Sequence, residues 1–391
     1  MKNRLLFFII SLSLALPAFS AEVTGLRFRQ APDKLRVVFD VSAEVTYDVL
    51  VLENPPRVAI DLKTSTPEAS FTRILEQADF SDTSLRGVRS AVYGTHDYRM
   101  VLDLRQSMTP EVFTLKPAGP YGHRLVVDLT NEVSTQPPRI PWTPSGAPRD
   151  VIIAVDAGHG GDDPGTLGIG KKTEKEIVLS IAKRLQRHIN ALPGYQAVMI
   201  RTGDYYIALR KRIEMARALP ADVFVSVHAD AAPSKAANGI TIYTLSERGA
   251  VSEETRRLAD LENNSDLIGG VSEIDLRQQE DILARVLLDM SIDANRVRSN
   301  QLGAAVVSEV GKVAKLRPRP LLEAPFVVLK SPDVPSILVE TGYLTNASEY
   351  RKLADGNYQE RLAKAITSGI QDFIEQSPPP GTQVALAQAG S

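Results

Sequence analysis

Three side chains able to hold a metal or move a proton stand at matching places in the chain. His159 lies in Asp156-Ala157-Gly158-His159-Gly160-Gly161, just after an apolar run that reads as a strand. His228 follows Val223-Phe224-Val225-Ser226-Val227 in the same relation, and Glu340 ends Ser336-Ile337-Leu338-Val339. Open α/β sheets bind ligands at the carboxyl ends of their strands, so these three residues point to one common site. Glu174 is the fourth candidate. Thr173 reads as a helix N-cap, and Glu176 completes a capping box with it. That leaves Glu174, in the first turn, free to reach His159. A carboxylate there would equally complement the helix dipole, and spacing alone leaves both readings open.

His159, Glu174 and His228 form a two-His-one-carboxylate set. Catalytic zinc takes three such ligands at about 2.0–2.2 Å and keeps a fourth position for a water whose pKa it lowers toward ~7. Glu340 then has a natural role: it takes a proton from the attacking water and delivers it to the departing amine. The chain has no Cys, which excludes a soft-ligand site, a disulfide and a lipid attached through a thiol. His96 and His123 fall in the N-terminal half, and His188 lies on the exposed side of a helix beside Arg187. All three read as structural or solvent-facing.

The elements that must position these residues belong to two regions of different period. From Val23 to about Asn131 the pattern alternates: Leu35, Val37, Phe39 and Val41; Val58, Ile60 and Leu62; Met100, Leu102 and Leu104; Leu125, Val127 and Leu129. Turn-rich stretches separate these runs, so the region reads as an all-β sandwich. Ser134 to Arg149 holds five prolines and reads as a semi-rigid linker carrying the only Trp, Trp142. From Val151 strands alternate with helices, as in an α/β domain whose twisted sheet is mixed and largely parallel and is flanked by helices. Helices are expected over Thr173–Leu192, Ile207–Leu219 and Tyr358–Glu375, with a long helical region from about Ser252 to Lys315. Strands are expected over Ala197–Arg201, Asp222–Val227, Gly239–Leu245, Phe326–Leu329 and Ser336–Glu340.

The chain's 391 residues allow two domains, each with its own core. Lys2 and Arg4, an uncharged run from Leu5 to Leu16 and small residues before Ala21 read as a secretory signal peptide. Removing it takes the formal charge from −2 to −4, through the loss of Lys2 and Arg4. No basic surface for nucleic acid follows from that balance, and no membrane span is expected in the mature chain. The expected organisation is a signal peptide over 1–20, a β domain over 21–132, a linker over 133–150 and a catalytic domain over 151–376. That domain carries a helical insertion at about 246–315, and a disordered tail over 377–391 follows it.

At these residues the sequence resembles the zinc-dependent N-acetylmuramoyl-L-alanine amidases. The matching phrases are DAGHGGDDPG (Asp156–Gly165), the helix start at Glu174, SVHAD (Ser226–Asp230) and SPDVPSILVETGYLTN (Ser331–Asn346). The resemblance covers about residues 151–375. It implies one zinc on His159, Glu174 and His228, Glu340 as catalytic glutamate, and cleavage between N-acetylmuramic acid and L-alanine of the stem peptide. The first half resembles the AMIN domain, a β module that binds peptidoglycan and helps target such enzymes to division septa. An enzyme of this kind remodels the wall as daughter cells separate, in the periplasm and enriched at the septum.

The stretch between His228 and Phe326 resembles the insertion of division amidases, in which a helix occludes the site until a LytM-type activator displaces it. An acidic helix inserted soon after a zinc ligand suggests that Glu262 takes the metal's open position in the resting enzyme; a solvated surface role for Glu262 is the alternative. Leu283, Leu287, Met290, Ala294 and Val297 follow at heptad-like spacing, as a core stripe or a docking surface. Two other functions also fit the residues. A peptidoglycan carboxypeptidase would use the same zinc centre. A non-catalytic wall-binding protein could keep the fold, although a scaffold has no need of a glutamate at a strand end.

Overall fold

The computed structural model describes residues 21–63, 65–67, 71–94, 97–131, 148–232, 234–246, 249–250, 252–271 and 291–389. The expected signal peptide, most of the linker with Trp142, and His96, Leu283, Leu287 and Met290 lie outside them.

Alternating apolar residues build the core of the N-terminal domain. Its strands are β1 (Ala21–Gln30), β2 (Lys34–Val41), β3 (Tyr47–Leu52), β4 (Arg57–Leu62) and β5 (Ser65–Pro67), then, after helix α1 (Phe71–Gln77), β6 (Leu85–Tyr93), β7 (Asp97–Leu104), β8 (Thr109–Leu115) and β9 (His123–Thr130). They form two sheets, in the orders β5-β1-β2-β9-β8 and β3-β4-β7-β6. Leu35, Val37, Phe39, Ile60, Met100, Leu102, Leu125 and Val127 are all buried in one core between them. This is the sandwich expected from the alternation, because only the inward residue of each pair has a facing sheet to pack on.

The second domain is a six-stranded mixed sheet with helices on both faces. Its strands are β10 (Val151–Ala157), β11 (Tyr195–Met199), β12 (Val223–His228), β13 (Ile240–Leu245), β14 (Leu316–Ala324) and β15 (Ser336–Glu340), in the order β11-β10-β12-β15-β13-β14. Strands β11, β10, β12 and β15 run parallel, and β13 turns antiparallel to β15. The helices are α2 (Glu174–Asn190), α3 (Leu209–Ala218), α4 (Glu253–Asn263), α5 (Ser265–Gly269), α6 (Ser291–Val310), α7 (Ala347–Leu353), α8 (Gly356–Gln376) and α9 (Gln383–Ala389). Along β10, Val151, Ile153 and Val155 face one core with α2, α6 and α8, while Ile152 and Ala154 face another with α3 and α4. Burial on both faces is why this strand is continuously apolar rather than alternating.

The structure departs from or sharpens the sequence reading at four places. Phe326–Leu329 is not a strand: Val327–Leu329 form a 3₁₀ turn, and a short buried apolar run reads alike in either form. The strand nearby is β14, which starts just past the helical region expected up to about Lys315, in a stretch to which the sequence reading gives no element. Its Pro318 and Pro320 obscure it, and it tolerates them because it is the sheet's edge. Residues 377–389 are not without structure: Arg149 N donates to Gly381 O (3.0 Å), Gln383 N donates to Arg149 O (2.8 Å), and α9 follows. Backbone pairing holds a tail whose composition has little core of its own to offer. Finally, Val297 is exposed, and the buried side of α6 is formed by Asn295, Ser299, Leu302, Val306 and Val310. The heptad-like stripe therefore does not continue into this helix as core. Among the described residues no helix is long and apolar enough to cross a membrane.

Candidate metal centre

The parallel strands deliver the candidate residues to one edge. His228 is the last residue of β12 and Glu340 the last of β15, and they are direct register partners on neighbouring strands. His159 lies two residues beyond β10, the strand on the other side of β12. Glu174 opens α2, and Thr173 N donates to Glu176 Oε2 (2.7 Å), so Glu176 serves the helix start while Glu174 turns inward. Both oxygens of Glu174 are positioned by amides: Oε2 accepts from Thr166 N and Oε1 from Ala229 N, each at 2.8 Å.

Four donor atoms converge there. Glu174 Oε1 is 3.0 Å from His159 Nε2 and 3.3 Å from His228 Nδ1; Glu262 Oε2 is 3.4 Å and 3.1 Å from the same nitrogens. All four residues are buried, and all four donor atoms lie within 4.8 Å of one another. A tetrahedron with bonds of about 2.0–2.1 Å has edges of about 3.3–3.4 Å, so these separations suit a zinc-sized cation. Among the described residues, His159 Nε2 and His228 Nδ1 are both buried without a hydrogen-bond partner. Buried polar atoms are almost always satisfied, and this donor set could take a metal as that partner.

The surroundings fix the donors. His159 Nδ1 meets Asp163 Oδ2 at 2.7 Å, which orients the ring and leaves Nε2 for a metal. His159 adopts φ +60°, a strained conformation for a residue with a side chain. Arg212 holds it there, with NH2 donating to His159 O (2.8 Å) and NH1 to Ala157 O (2.8 Å) and Asp156 Oδ1 (2.7 Å). Arg201, equally buried, donates to the carbonyls of Ala157 and Gly158. Asp163, Arg201 and Arg212 were not singled out in the sequence. Asp163 had a visible signal, because a ligating histidine needs a partner on its other nitrogen. So did Arg212, which shares the buried face of α3 with Leu209, Ile213 and Ala216.

Electrostatics reflect this crowding. Burial works against the charge on His159, but Asp163, Glu174 and Glu262 outweigh it and hold the imidazole well above its usual value. In His228 burial is outweighed by Glu262 and Glu174, and its pKa is pushed up to about 10. Burial opposes the charge on Glu174 too, yet the two imidazoles hold it well below the usual carboxylate range. Burial and Asp230 push Glu340 well above that range. Glu340 Oε2 accepts from Asp230 N (3.1 Å), while Oε1 is buried without a partner.

Glu262 reaches the group from the insertion. Helix α4 buries Thr255, Leu258, Ala259 and Glu262, one stripe at helical spacing, so the carboxylate lies on the inward face rather than in solvent. Of the other histidines, His188 Nε2 lies 2.9 Å from Glu360 Oε1, and His123 opens β9.

The chain matches the N-acetylmuramoyl-L-alanine amidase family over residues 153–372 and the AMIN domain over 25–129. It is 33% identical over 390 residues to the N-acetylmuramoyl-L-alanine amidase AmiC of Escherichia coli O6:H1, covering 94% of this chain and 93% of that one. It is 32% identical over 394 residues to the AmiC of Neisseria meningitidis serogroup B, covering 94% of each. Among solved structures, an N-acetylmuramoyl-L-alanine amidase from Clostridium difficile 630 aligns with a TM-score of 0.44 at 27% identity, covering 59% of this chain and 100% of that one.

Two outcomes follow from the geometry. A Cβ at Gly165 (φ +63°) would lie 2.7 Å from both Glu174 Oε2 and His159 Cδ2. With zinc as the probe metal, Gly165→Ala is therefore expected to weaken binding by about 10- to 100-fold in a chelator competition; unchanged affinity would refute the packing argument. Because the imidazoles are raised, protons hold the donor nitrogens until a metal displaces them. Apparent zinc affinity should then rise from about pH 6 to 9, by up to about tenfold per unit for each proton displaced. Calorimetry in buffers of different ionisation enthalpy would register the released protons, and pH-independent binding would contradict the assignment.

Proposed function

The chain belongs to the N-acetylmuramoyl-L-alanine amidase family, and from that premise we propose that it cuts peptidoglycan with one zinc held by His159, Glu174 and His228. Its substrate bond is the amide between the lactyl group of N-acetylmuramic acid and L-alanine of the stem peptide. The observation that carries the metal reading is the pair of buried, partnerless imidazole nitrogens facing a carboxylate at the strand edge. When bound there, zinc supplies a Lewis acid that polarises the scissile carbonyl and activates water.

The protein's own groups supply the rest. Glu340 Oε1 takes the proton of the attacking water and returns it to the leaving amine. Its partnerless Oε1, its elevated pKa and its register beside His228 support that role. Asp163 keeps the His159 ring in the orientation that presents Nε2, and Arg212 keeps the His159 backbone in place.

Glu262 is the resting block. Its Oε2 takes the corner of the donor set that an attacking water would need, and α4 must move before substrate can be cut. A groove of about 590 Å³ beside the centre supports this, with Asp230, Tyr243 and Tyr343 on one side and Glu254, Leu258 and Leu261 of α4 on the other. Withdrawal of α4 would free the metal corner and widen the groove together. The insertion at about 246–315 is then the natural target of a LytM-type activator. The rest of the organisation follows the same reading: export to the periplasm through residues 1–20, wall binding and septal targeting by 21–132, and action in daughter-cell separation.

Purified sacculi treated with the zinc-loaded mature chain should release stem peptides beginning at L-alanine, identified by mass. Glu340→Gln should abolish release, by a factor of about 10² or more, while still binding zinc. Shortened stems from the parent enzyme would instead indicate a carboxypeptidase, and undiminished release by Glu340→Gln would remove its assigned role. Glu262→Ala should release peptides on the order of tenfold faster without an activator, the equivalent of ~1.4 kcal/mol of resting bias. If it is no faster than the parent, Glu262 is not the block.

A further inference from the structure

The segment that carries Glu262 is fastened to the N-terminal domain as well as to the catalytic one. Three residues past Glu262, helix α5 (Ser265–Gly269) lies between the two domains. Its catalytic side is tied by Asp266, whose Oδ1 accepts from Tyr206 Oη (2.7 Å) and Leu209 N (3.0 Å). The second bond caps α3, whose own N-cap residue, Ala208, has no capping side chain. The other side of α5 belongs to the β domain. Arg124 of β9 donates from NH1 to Ile268 O (2.9 Å) and from NH2 to Leu267 O (3.3 Å), and Arg36 of β2 donates from NH1 to Gly269 O (2.5 Å). These are carbonyls a helix leaves unpaired at its end, where a cation is also favoured by the helix dipole. Ile268 packs close over Gly119, where an added Cβ would come within 3.3 Å of it.

The two arginines are built differently. Arg36 is braced by Asp128, with Nε donating to Oδ1 and NH2 to Oδ2 at 2.6 Å each, so its remaining nitrogen is aimed at Gly269. Arg124 is fully buried, and among the described residues its side-chain hydrogen bonds go to α5. A buried guanidinium bonded to one short helix strongly resists losing it, because its buried N–H donors would then be left without those acceptors. The connection from α5 to the metal centre is short and stiff. Helix α4 ends at Asn263 and α5 begins at Ser265. Asn263 itself is pinned, donating to Pro325 O (3.0 Å) and accepting from Val327 N (2.8 Å).

We propose that the N-terminal domain is the clasp of the blocking segment: Arg36 and Arg124 hold α5 by its terminal carbonyls and so keep Glu262 seated against His159 and His228. This rests on the reading of Glu262 as the resting block. It adds that the β domain sets the strength of the block, so a force or ligand that shifts that domain off α5 would lower the cost of activation. Arg36 and Arg124 are positioning residues, acting through α5 and not on substrate.

Arg124→Met is the direct probe, since it leaves no carboxylate stranded. In the zinc-loaded mature chain it should raise peptide release from sacculi without activator by about tenfold, the scale set by one hydrogen bond to a charged group. Amide hydrogen exchange should quicken across residues 253–269 and stay unchanged in β10, β12 and β15. In a Glu262→Gln background, itself faster than the parent, Arg124→Met should add nothing further to release. Should Arg124→Met fail to fold, Arg36→Lys keeps a cation for Asp128 but loses the reach to Gly269, and carries the same expectation. A folded Arg124→Met or Arg36→Lys with parental release and exchange, alongside a faster Glu262→Gln, would overturn the clasp and leave the block standing. If Glu262→Gln is no faster either, the block itself is wrong and the clasp falls with it. Additive acceleration by Arg124→Met and Glu262→Gln would also overturn the clasp, since the two would then act independently.

Discussion

Two imidazole nitrogens buried without hydrogen-bond partners, with carboxylate oxygens 3.0–3.4 Å away, are a costly arrangement for a folded chain. Its cost is offset only if something binds the donors, and a divalent metal does so most economically. Much of the second domain can be read as the scaffold that this cluster requires. Parallel strands end together at one edge, a strained loop turns His159 toward that edge, and two buried arginines satisfy the carbonyls that the loop exposes. Removing one member of the fully buried Asp156–Arg212 pair would leave a charge without compensation, a loss of about 3–5 kcal/mol. The pair therefore ties β10 and α3 together beneath the candidate ligand.

The same crowding underlies the proposed control. A site with three protein donors and an open corner is reactive, and on the proposed reading a carboxylate added as the fourth donor holds it at rest without dismantling it. Glu262 can fill that corner because it lies on the buried stripe of α4, a helix that otherwise contributes only Thr255, Leu258 and Ala259 to the interior. So small an apolar contribution makes α4 a weakly held element, suited to being displaced. Its retention then depends on bonds at its end, through Asn263, Asp266 and the carbonyls of α5. On the proposed reading, the restraint of one domain depends on contacts made by the other.

Much of this was legible in the sequence. Alternation at Leu35, Val37, Phe39 and Val41 identifies the sandwich because a strand's period is two and only one face finds a partner. The glycine-rich turn after β10 and the ends of β12 and β15 mark the site because a strand's end is where a side chain can leave the sheet. Glu174 was separable from Glu176 by the logic of helix capping. Edge strand β14 was not legible, because Pro318 and Pro320 remove the pattern that identifies strands, and the tail's docking at Arg149 uses backbone groups that every residue possesses.

Residue types and local spacing therefore determined the two domains, their fold classes, the candidate donors and the family to which the chain belongs, all of which depend on periodicity and short motifs. Tertiary structure alone decided how near the donors come to one another, that His228 and Glu340 stand in register, and that Glu262 points inward. It also decided that arginines of a distant domain, Arg36 and Arg124, close on α5. Those outcomes depend on distances between segments up to 233 positions apart, as for Arg36 and Gly269, and no local pattern encodes them. They arise only when both cores have packed and the two domains meet.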